Sequence, residues 1–305
     1  MMEVCLLGSG GMMPLPDRFL TSLYIRSDGR AILIDCGEGT QTAIRVAGLR
    51  FKCIEAVLLT HFHADHVSGL PGLLLTLGNE ERTEPLYIYG PVGLKRVIAG
   101  MRVIVPELPY EIICEELSAE GMEFSAAGLN VCAFPADHGM ACFGYCVSLS
   151  RAGRFSPERA REKQIPVRLW SRLQSGESVD GFVPEDVLGA PRRGLKVLYA
   201  TDTRPVDGIV KYGADADLMI LEGMFGAPEK DERAEKTHHM TMREAVSLGC
   251  EAKARRLWLT HFSPATPHPE EFLEEMSAIY PGVIMGETGL SVVLRFDESD
   301  EKVGE

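Results

Sequence analysis

The stretch Thr60-His61-Phe62-His63-Ala64-Asp65-His66 constrains this chain more than any other segment. Three imidazoles and a carboxylate fall within six consecutive positions, directly after the apolar run Ala56-Val57-Leu58-Leu59. A neutral imidazole offers a lone pair near pH 7 and is the commonest metal ligand among side chains. Alternate side chains of an extended chain point the same way, so His61 and His63 share one side of the strand end. The turn that follows lets Asp65 and His66 approach a second point. One zinc needs only three or four protein ligands, so four candidates this close together predict a pair of metal ions. A polar loop of solvated histidines is the plain alternative, and it leaves the further candidates below unexplained.

The surrounding pattern is that of a mixed α/β protein. Short aliphatic or β-branched runs bounded by Gly, Asp or Pro predict strands at Val4–Leu7, Ser22–Ile25, Ala31–Ile34, Ala56–Leu59, Leu86–Tyr89, Leu129–Phe134 and Cys142–Ser148. Thr40–Val46 and Leu70–Leu77 read as helices, the second with Pro71 at an early position. The second half repeats the design, with strands at Lys196–Ala200, Leu218–Leu221 and Arg256–Thr260 and helices from Thr241 and from Pro269. Strand pairs inside each half favour two mixed sheets covered by helices. Leu59-Thr60-His61-Phe62 returns as Leu259-Thr260-His261-Phe262, each time at the end of an apolar strand. That echo suits a two-halved sandwich with a shared site. Gly8-Ser9-Gly10-Gly11 reads as a tight turn after the first strand, since no helix pattern follows to make it a phosphate cradle.

A chain of 305 residues is long enough for one large core or two fused halves. No segment approaches the ~18 uninterrupted apolar residues of a membrane span, and Met1-Met2-Glu3-Val4 enters strand-like sequence without a basic leader region. The eight cysteines include no Cys-x-x-Cys pair and several lie in apolar runs. Buried reduced thiols in a cytoplasmic protein are therefore expected. A net charge of −13 argues against non-specific nucleic-acid binding by the whole surface. One local exception is Arg151 to Arg172, where Arg151, Arg154, Arg159, Arg161, Lys163, Arg168 and Arg172 face only Glu158 and Glu162. Such a run is either a solvated face or a binding patch. The final residues, from Asp297 to 305, are acidic and expected to be disordered.

Two metals need more donors, one of them a bridging carboxylate, and strand ends are where to look. His138 follows Val131-Cys132-Ala133-Phe134-Pro135, Asp202 follows Lys196-Val197-Leu198-Tyr199-Ala200, and His261 ends the echoed strand. A lone residue of these types at a strand end is more often a turn or capping residue.

At this point the chain resembles the ribonuclease Z family of tRNA 3′-processing endonucleases, within the metallo-β-lactamase superfamily. The resemblance rests on Leu33-Ile34-Asp35-Cys36-Gly37-Glu38-Gly39-Thr40-Gln41, on Leu59 to His66 with Gly69-Leu70-Pro71-Gly72-Leu73-Leu74, and on Glu84-Pro85-Leu86-Tyr87-Ile88-Tyr89-Gly90-Pro91. Pro184-Glu185-Asp186-Val187-Leu188-Gly189 and Asp202-Thr203-Arg204-Pro205 extend it. The histidine loop identifies only the superfamily; the Gly-Leu-Pro-Gly-Leu and Asp-Thr-Arg-Pro segments are more specific.

The resemblance implies a four-layer αββα sandwich over 1–296 with an inserted substrate-binding arm at 151–190 and an acidic tail at 297–305. It implies two zinc ions, one on His61, His63 and His138 and the other on Asp65, His66 and His261, with Asp202 bridging. The imidazole-rich set favours zinc over manganese, although availability can load manganese. Asp65 is expected to position or deprotonate the attacking water. Of the pair His238-His239, His239 resembles the residue that serves the leaving oxygen, and Glu222 the carboxylate that orients it. An exposed loop pair is the plain alternative for both histidines. Asp35 is similar to a residue that orients a ligand imidazole, with a turn aspartate as the alternative. Arg154, Arg159, Arg161, Lys163 and Arg168 on the arm are the expected contacts to precursor tRNA, in a homodimer whose arms serve one another's sites.

The chain also departs from the family pattern. The middle of the arm, Gln164-Ile165-Pro166-Val167-Arg168-Leu169-Trp170, keeps Ile165 and Pro166 but loses two glycines, although its arginines and Trp170 can still meet phosphate and sugar. Leu221-Glu222-Gly223-Met224 keeps only the glutamate of its motif, and His239-Met240-Thr241 has lost a serine. Three functions follow: a zinc endoribonuclease that removes the 3′ trailer of precursor tRNA, a small-molecule or cyclic-nucleotide phosphodiesterase of the same fold, or a non-catalytic RNA- or protein-binding module.

Overall fold

A computed structural model of the chain describes residues 1–105 and 107–297. The remainder of the expected acidic tail, 298–305, lies outside the described residues. Strands β1 (Met2–Gly8), β2 (Ser22–Ser27), β3 (Arg30–Ile34), β4 (Ile54–Leu58), β5 (Leu86–Gly90) and β6 (Ile112–Glu116) run side by side across one sheet. The second sheet contains β7 (Met122–Ala126), β8 (Leu129–Pro135), β9 (Phe143–Arg151), β10 (Arg192–Ala200), β11 (Leu218–Glu222), β12 (Leu257–Thr260) and β13 (Ile284–Met285). β14 (Ser291–Leu294) returns to the first sheet beside β1. In both sheets an antiparallel portion gives way to a parallel one, β3 to β6 in the first and β10 to β13 in the second.

Side-chain alternation explains the layering. Cys5, Leu7, Tyr24, Leu33 and Val57 form a core with helices α1 (Thr40–Val46), α3 (Leu70–Asn79) and α4 (Leu94–Arg102), whereas the short α2 (Ala64–Val67) lies in the histidine loop. The alternate residues of the same strands, Val4, Leu6, Ile32, Ile34 and Leu58, are equally buried, so the opposite face is covered too. In the second sheet Leu198, Met219, Leu221 and Leu259 pack with α7 (Asp207–Gly213), α9 (Met242–Glu251) and α10 (Leu273–Ile279). Val197, Tyr199 and Ile220 are buried on the other side. Two sheets, each covered on both faces, give the helix–sheet–sheet–helix order expected from the sequence. The Tyr145 hydroxyl on β9 donates to the Leu59 carbonyl at 2.7 Å, tying the second sheet to the end of β4. Because both faces of these strands are buried, each Leu or Ile on either face contributes roughly 1.5–3 kcal/mol of burial.

Met1–Ser148 and Lys196–Leu294 make up one compact unit, and Leu149–Leu195 with Arg295 to Asp297 a second. The smaller unit contains α5 (Pro157–Glu162) and α6 (Val167–Gln174) and has its own core of Ala160, Ile165, Leu169, Leu173, Val179 and Val187. Ser156 caps α5 by accepting from the Arg159 N–H at 3.2 Å.

Candidate metal centre and acid–base pair

The site lies at strand ends, and three of its residues leave their strands in the same conformation. Asp35 follows β3 with φ 58°, Asp202 lies just beyond β10 with φ 54°, and His261 follows β12 with φ 56°. Left-handed backbone is uncommon outside glycine, and Asp, Asn and His tolerate it best. Here it abruptly ends the extended run, where the side chain no longer follows the alternation of the sheet. β4 ends likewise at Leu58, and Thr60 to His66 follow as loop and short helix. The echoed segments thus sit at the ends of β4 and β12, one in each sheet.

The sequence-derived candidates meet in two adjoining groups. His61 Nε2 is 2.9 Å from His63 Nδ1, and His138 Nε2 is 3.3 Å from that same nitrogen. His66 Nε2 and His261 Nε2 face each other at 3.3 Å, with Asp65 Oδ2 3.4 Å from His261. Asp202 reaches both groups. Its Oδ1 is 3.8 Å from His61 and 3.9 Å from His138, and its Oδ2 is 3.0 Å from His66 and 3.2 Å from His261. Potential ligand atoms of His61, His63, His138 and Asp202 all lie within 4.8 Å of one another, as do those of Asp65, His66 and His261. His61, His66, His261 and Asp202 are at most 2 % exposed. Ring nitrogens pointed at each other, with buried carboxylate oxygens between them, are a poor hydrogen-bond network but a suitable donor set for divalent cations. The residues could hold metal ions, and Asp202 is within reach of both groups.

Outer partners fix the rings. Asp35 Oδ2 lies 2.8 Å from His66 Nδ1, and the Thr60 hydroxyl lies 3.0 Å from His61 Nδ1. Asp35 in turn accepts from the Thr60 N–H at 2.8 Å. The His238 carbonyl lies 3.2 Å from His138 Nδ1, while the His238 ring faces Asp137 at 3.0 Å. An acceptor at Nδ1 keeps the proton there and leaves Nε2 free to bind a metal. Asp65 Oδ2 accepts from the backbone N–H of Met12 at 2.7 Å. The glycine run therefore does more than turn the chain: it brings a backbone donor to Asp65. The backbone contacts from Met12 and His238 were not anticipated, because a main-chain group gives no signal in side-chain identity.

Charges reinforce the arrangement in the metal-free protein. Burial opposes protonation of His66, yet the Asp202 and Asp35 carboxylates raise its pKa well above the usual value. His261 is pushed up to about 10, burial again opposing and Asp202, Asp65 and Glu222 prevailing. Asp202 is held well below the usual carboxylate range, because the His261, His66 and His61 imidazoles outweigh its burial.

Beside the clusters stands a second pair. His239 Nδ1 is 2.8 Å from Glu222 Oε2, at the end of β11. Burial would lower the pKa of His239, but Glu222 raises it above the ordinary value. The Arg204 guanidinium donates to the His239 carbonyl at 2.5 Å and pairs with Glu244. Glu244 also accepts from the Thr241 N–H in the capping box that opens α9. A cavity of about 400 Å³ exposes these groups to solvent, lined in part by Met12, His63, Asp65, Asp202, His239 and His261.

The arm candidates lie in the smaller unit, and much of their charge is engaged there. Arg159 donates to the carbonyls of Leu188 and Glu185, both at 2.6 Å. Lys163 pairs with Asp186, and Arg168 lies 3.5 Å from Asp180. The Arg161 guanidinium carbon is 6.0 Å from the Trp170 ring centre. Trp170, half-exposed, packs at 5.3 Å from Phe155 and donates to the Ile165 carbonyl at 3.0 Å. Arg154 lies in the same unit, between β9 and α5.

Residues 30–262 match the family model described as a beta-lactamase superfamily domain. The chain is 49 % identical to the ribonuclease Z of Agathobacter rectalis over 302 residues, covering 98 % of this chain and all of the relative. It is 45 % identical to the ribonuclease Z of Lachnoclostridium phytofermentans over 304 residues, with coverages of 98 % and 100 %. Among solved structures, the short form of human tRNase Z superimposes with a TM-score of 0.70 at 25 % identity, over 96 % of this chain and all of that one. With its two sheets and its histidine–aspartate clusters, the chain belongs to the ribonuclease Z family of the metallo-β-lactamase superfamily.

Proposed function

We infer that this protein is a metal-dependent endoribonuclease that hydrolyses the phosphodiester joining a tRNA to its 3′ trailer. The convergence of two donor groups on one carboxylate, Asp202, beside the His239–Glu222 pair carries this reading. Membership of a family whose relatives are ribonuclease Z supplies the substrate class. We assign His61, His63 and His138 to one zinc, Asp65, His66 and His261 to the other, and Asp202 to both. Cations held there supply positive charge at the reacting phosphate and make water a stronger nucleophile at neutral pH.

The chain's own groups handle the protons. Asp65, fixed by the Met12 amide, accepts a proton from the attacking water as the new P–O bond forms. His239, whose protonated form Glu222 favours, gives its proton to the 3′-oxygen as the old P–O bond breaks. Arg204 anchors the backbone of His239 through its carbonyl. The basic residues of the arm, Arg154, Arg159, Arg161, Lys163 and Arg168, would provide affinity for the tRNA body, which then weakens with salt.

A phosphodiesterase of small esters is the second reading, favoured by the internal engagement of Arg159, Lys163 and Arg168. Incubating the protein with a 3′-extended precursor tRNA and with bis(p-nitrophenyl) phosphate, with and without chelator, separates the two. Chelator-sensitive cleavage beside the discriminator nucleotide is expected; ester turnover with intact tRNA would select the second reading. Among the described residues no helix is long and apolar enough to cross a membrane. We place the enzyme in the cytoplasm as a homodimer, a state that sedimentation of the purified protein tests.

A further inference from the structure

Arg233, on α8 (Asp231–Lys236), also lines the site cavity, and it is the only lysine or arginine among the described residues that do so. Neighbouring guanidiniums are committed elsewhere. Arg204 binds Glu244 and the His239 carbonyl, Arg243 binds Glu275, and Arg18 binds the carbonyls of Thr266 and Pro267. Arg233 pairs with no carboxylate among the described residues; its guanidinium carbon stands 5.6 Å from the centre of the Phe225 ring. A guanidinium laid on an aromatic face is held in place while its N–H edge stays free to meet phosphate oxygens.

The platform beneath it is buried and joined to His239. Phe225 is 2 % exposed and packs with Met224 and Ala234. Its carbonyl accepts from the Met242 N–H at 2.9 Å, and the Ala234 carbonyl accepts from the His239 N–H at 2.9 Å. Arg233 is thus one residue from a group bonded directly to the backbone of His239. The reacting phosphate belongs with the buried clusters, whereas Arg233 is exposed at the rim, on the side of the histidine that serves the leaving oxygen.

We propose that Arg233 binds the phosphate immediately 5′ of the nucleotide whose 3′-oxygen departs, and so selects a polynucleotide over a simple ester. This rests on the ribonuclease reading above. It makes Arg233 a substrate-binding residue for the flanking phosphate, with no part in proton transfer.

The test is a cycle between protein and substrate. A precursor RNA is made with a single uncharged methylphosphonate at that flanking position, and wild type, Arg233→Ala and Arg233→Lys are assayed on it, on the unmodified RNA and on bis(p-nitrophenyl) phosphate. On unmodified RNA, Arg233→Ala should lower kcat/KM roughly 10- to 100-fold, as for loss of a charge-assisted hydrogen bond. The methylphosphonate should cost wild type a similar factor and cost Arg233→Ala less than about twofold more. Arg233→Lys should recover part of the loss, and all three proteins should turn over the small ester equally. Equal losses from Arg233→Ala on both RNAs would overturn the assignment, as would a parallel loss on the ester or no loss at all. If wild type cleaves the ester but no RNA, the ribonuclease reading fails first and takes this proposal with it.

Discussion

Asp35 Oδ2 lies 2.8 Å from Nδ1 of His66, with both side chains fully withdrawn from solvent, and a second oxygen of the same carboxylate accepts from Thr60 at the head of the histidine loop. One buried group therefore sets both the tautomer of a candidate ligand and the start of the segment that carries four of them. Asp35→Asn keeps a residue suited to φ 58°. It also permits the amide NH₂ to face Nδ1 and drive the proton to Nε2. Metal affinity should fall roughly 10- to 100-fold, as read by competition with a calibrated chelator. An unchanged affinity would mean that His66 is oriented by something else.

The same cluster predicts how metal uptake depends on pH. Without metal, His66 is protonated well above its usual range and His261 up to about 10, so ligands must shed protons when cations enter. Affinity should therefore rise with pH across the neutral range, and calorimetry in buffers of different ionisation enthalpy should show protons released. The stability of the metal-free protein runs the other way. A raised histidine pKa contributes stability that is full below about 6.5 and is lost as pH climbs through the folded value near 10 for His261. The depressed pKa of Asp202 sets the acid limit, with stability lost as pH falls below the ordinary carboxylate range. Heating curves of chelated protein that strengthen steadily from pH 7 to 10 would contradict this electrostatic account.

Much of this architecture was readable because its signals are local. His61 to His66 announce themselves by spacing, and parallel strands such as β4 are continuous apolar runs because both faces are covered. β6 and β7 escaped notice because they are edge strands. Ile112-Ile113-Cys114-Glu115-Glu116 and Met122-Glu123-Phe124-Ser125-Ala126 are only partly buried and carry the acidic or small residues that edges tolerate. α4 was legible and overlooked: Leu94, Val97, Ile98 and Met101 stand at the i, i+3, i+4 and i+7 spacing of a helix, although only Leu94 and Ile98 are fully buried. The helix expected from Pro269 starts instead as a 3₁₀ turn at Pro269–Phe272 before α10 begins at Leu273. At the site, the Met12 N–H and the His238 carbonyl are invisible in principle, because every residue but proline offers the same two groups.

Gly11 carries a prediction of its own. A Cβ built there would sit 2.7 Å from His261 Cε1 and 2.8 Å from Nε2, closer than atoms can approach. The backbone cannot easily retreat, because the Gly11 N–H donates to the Phe262 carbonyl at 3.1 Å and Met12 is bound to Asp65. Gly11→Ala should displace the His261 ring. A misplacement of this kind costs turnover about 100-fold, while the midpoint of thermal unfolding should move little in the chelated protein. Metal analysis should find the Asp65–His66–His261 position depleted. Full metal content with full turnover would show that the loop gives way more readily than its hydrogen bonds suggest.

Deletion of residues 151–180 tests the arm. Arg154, Arg161 and the paired cations around them belong to a unit with its own small core, and 151–180 carries every buried residue of that core except Val187, so the deletion should spare the principal cores. Precursor tRNA cleavage should be lost and ester turnover retained. Retention of tRNA cleavage would show that the basic run is a solvated face and nothing more.

His239 and Glu222 make the sharpest separation of proton transfer from binding. If His239 protonates a departing 3′-oxygen, its removal matters only when that oxygen is a poor leaving group. His239→Ala should lower kcat on precursor RNA roughly 100- to 10,000-fold with RNA affinity nearly unchanged. It should barely affect bis(p-nitrophenyl) phosphate, whose nitrophenolate departs without a proton. Glu222→Gln removes the charge that raises the pKa of His239, leaving burial to lower it. The high-pH limb of the kcat profile on RNA should therefore move toward acid, because the protonated imidazole is then lost sooner as pH rises. Glu222 also lies 3.7 Å from His261 Nδ1, so metal content must be shown equal to wild type before the profile is read. A proportional loss on RNA and on the ester, or a limb that stays where it was, would remove His239 from the role of general acid.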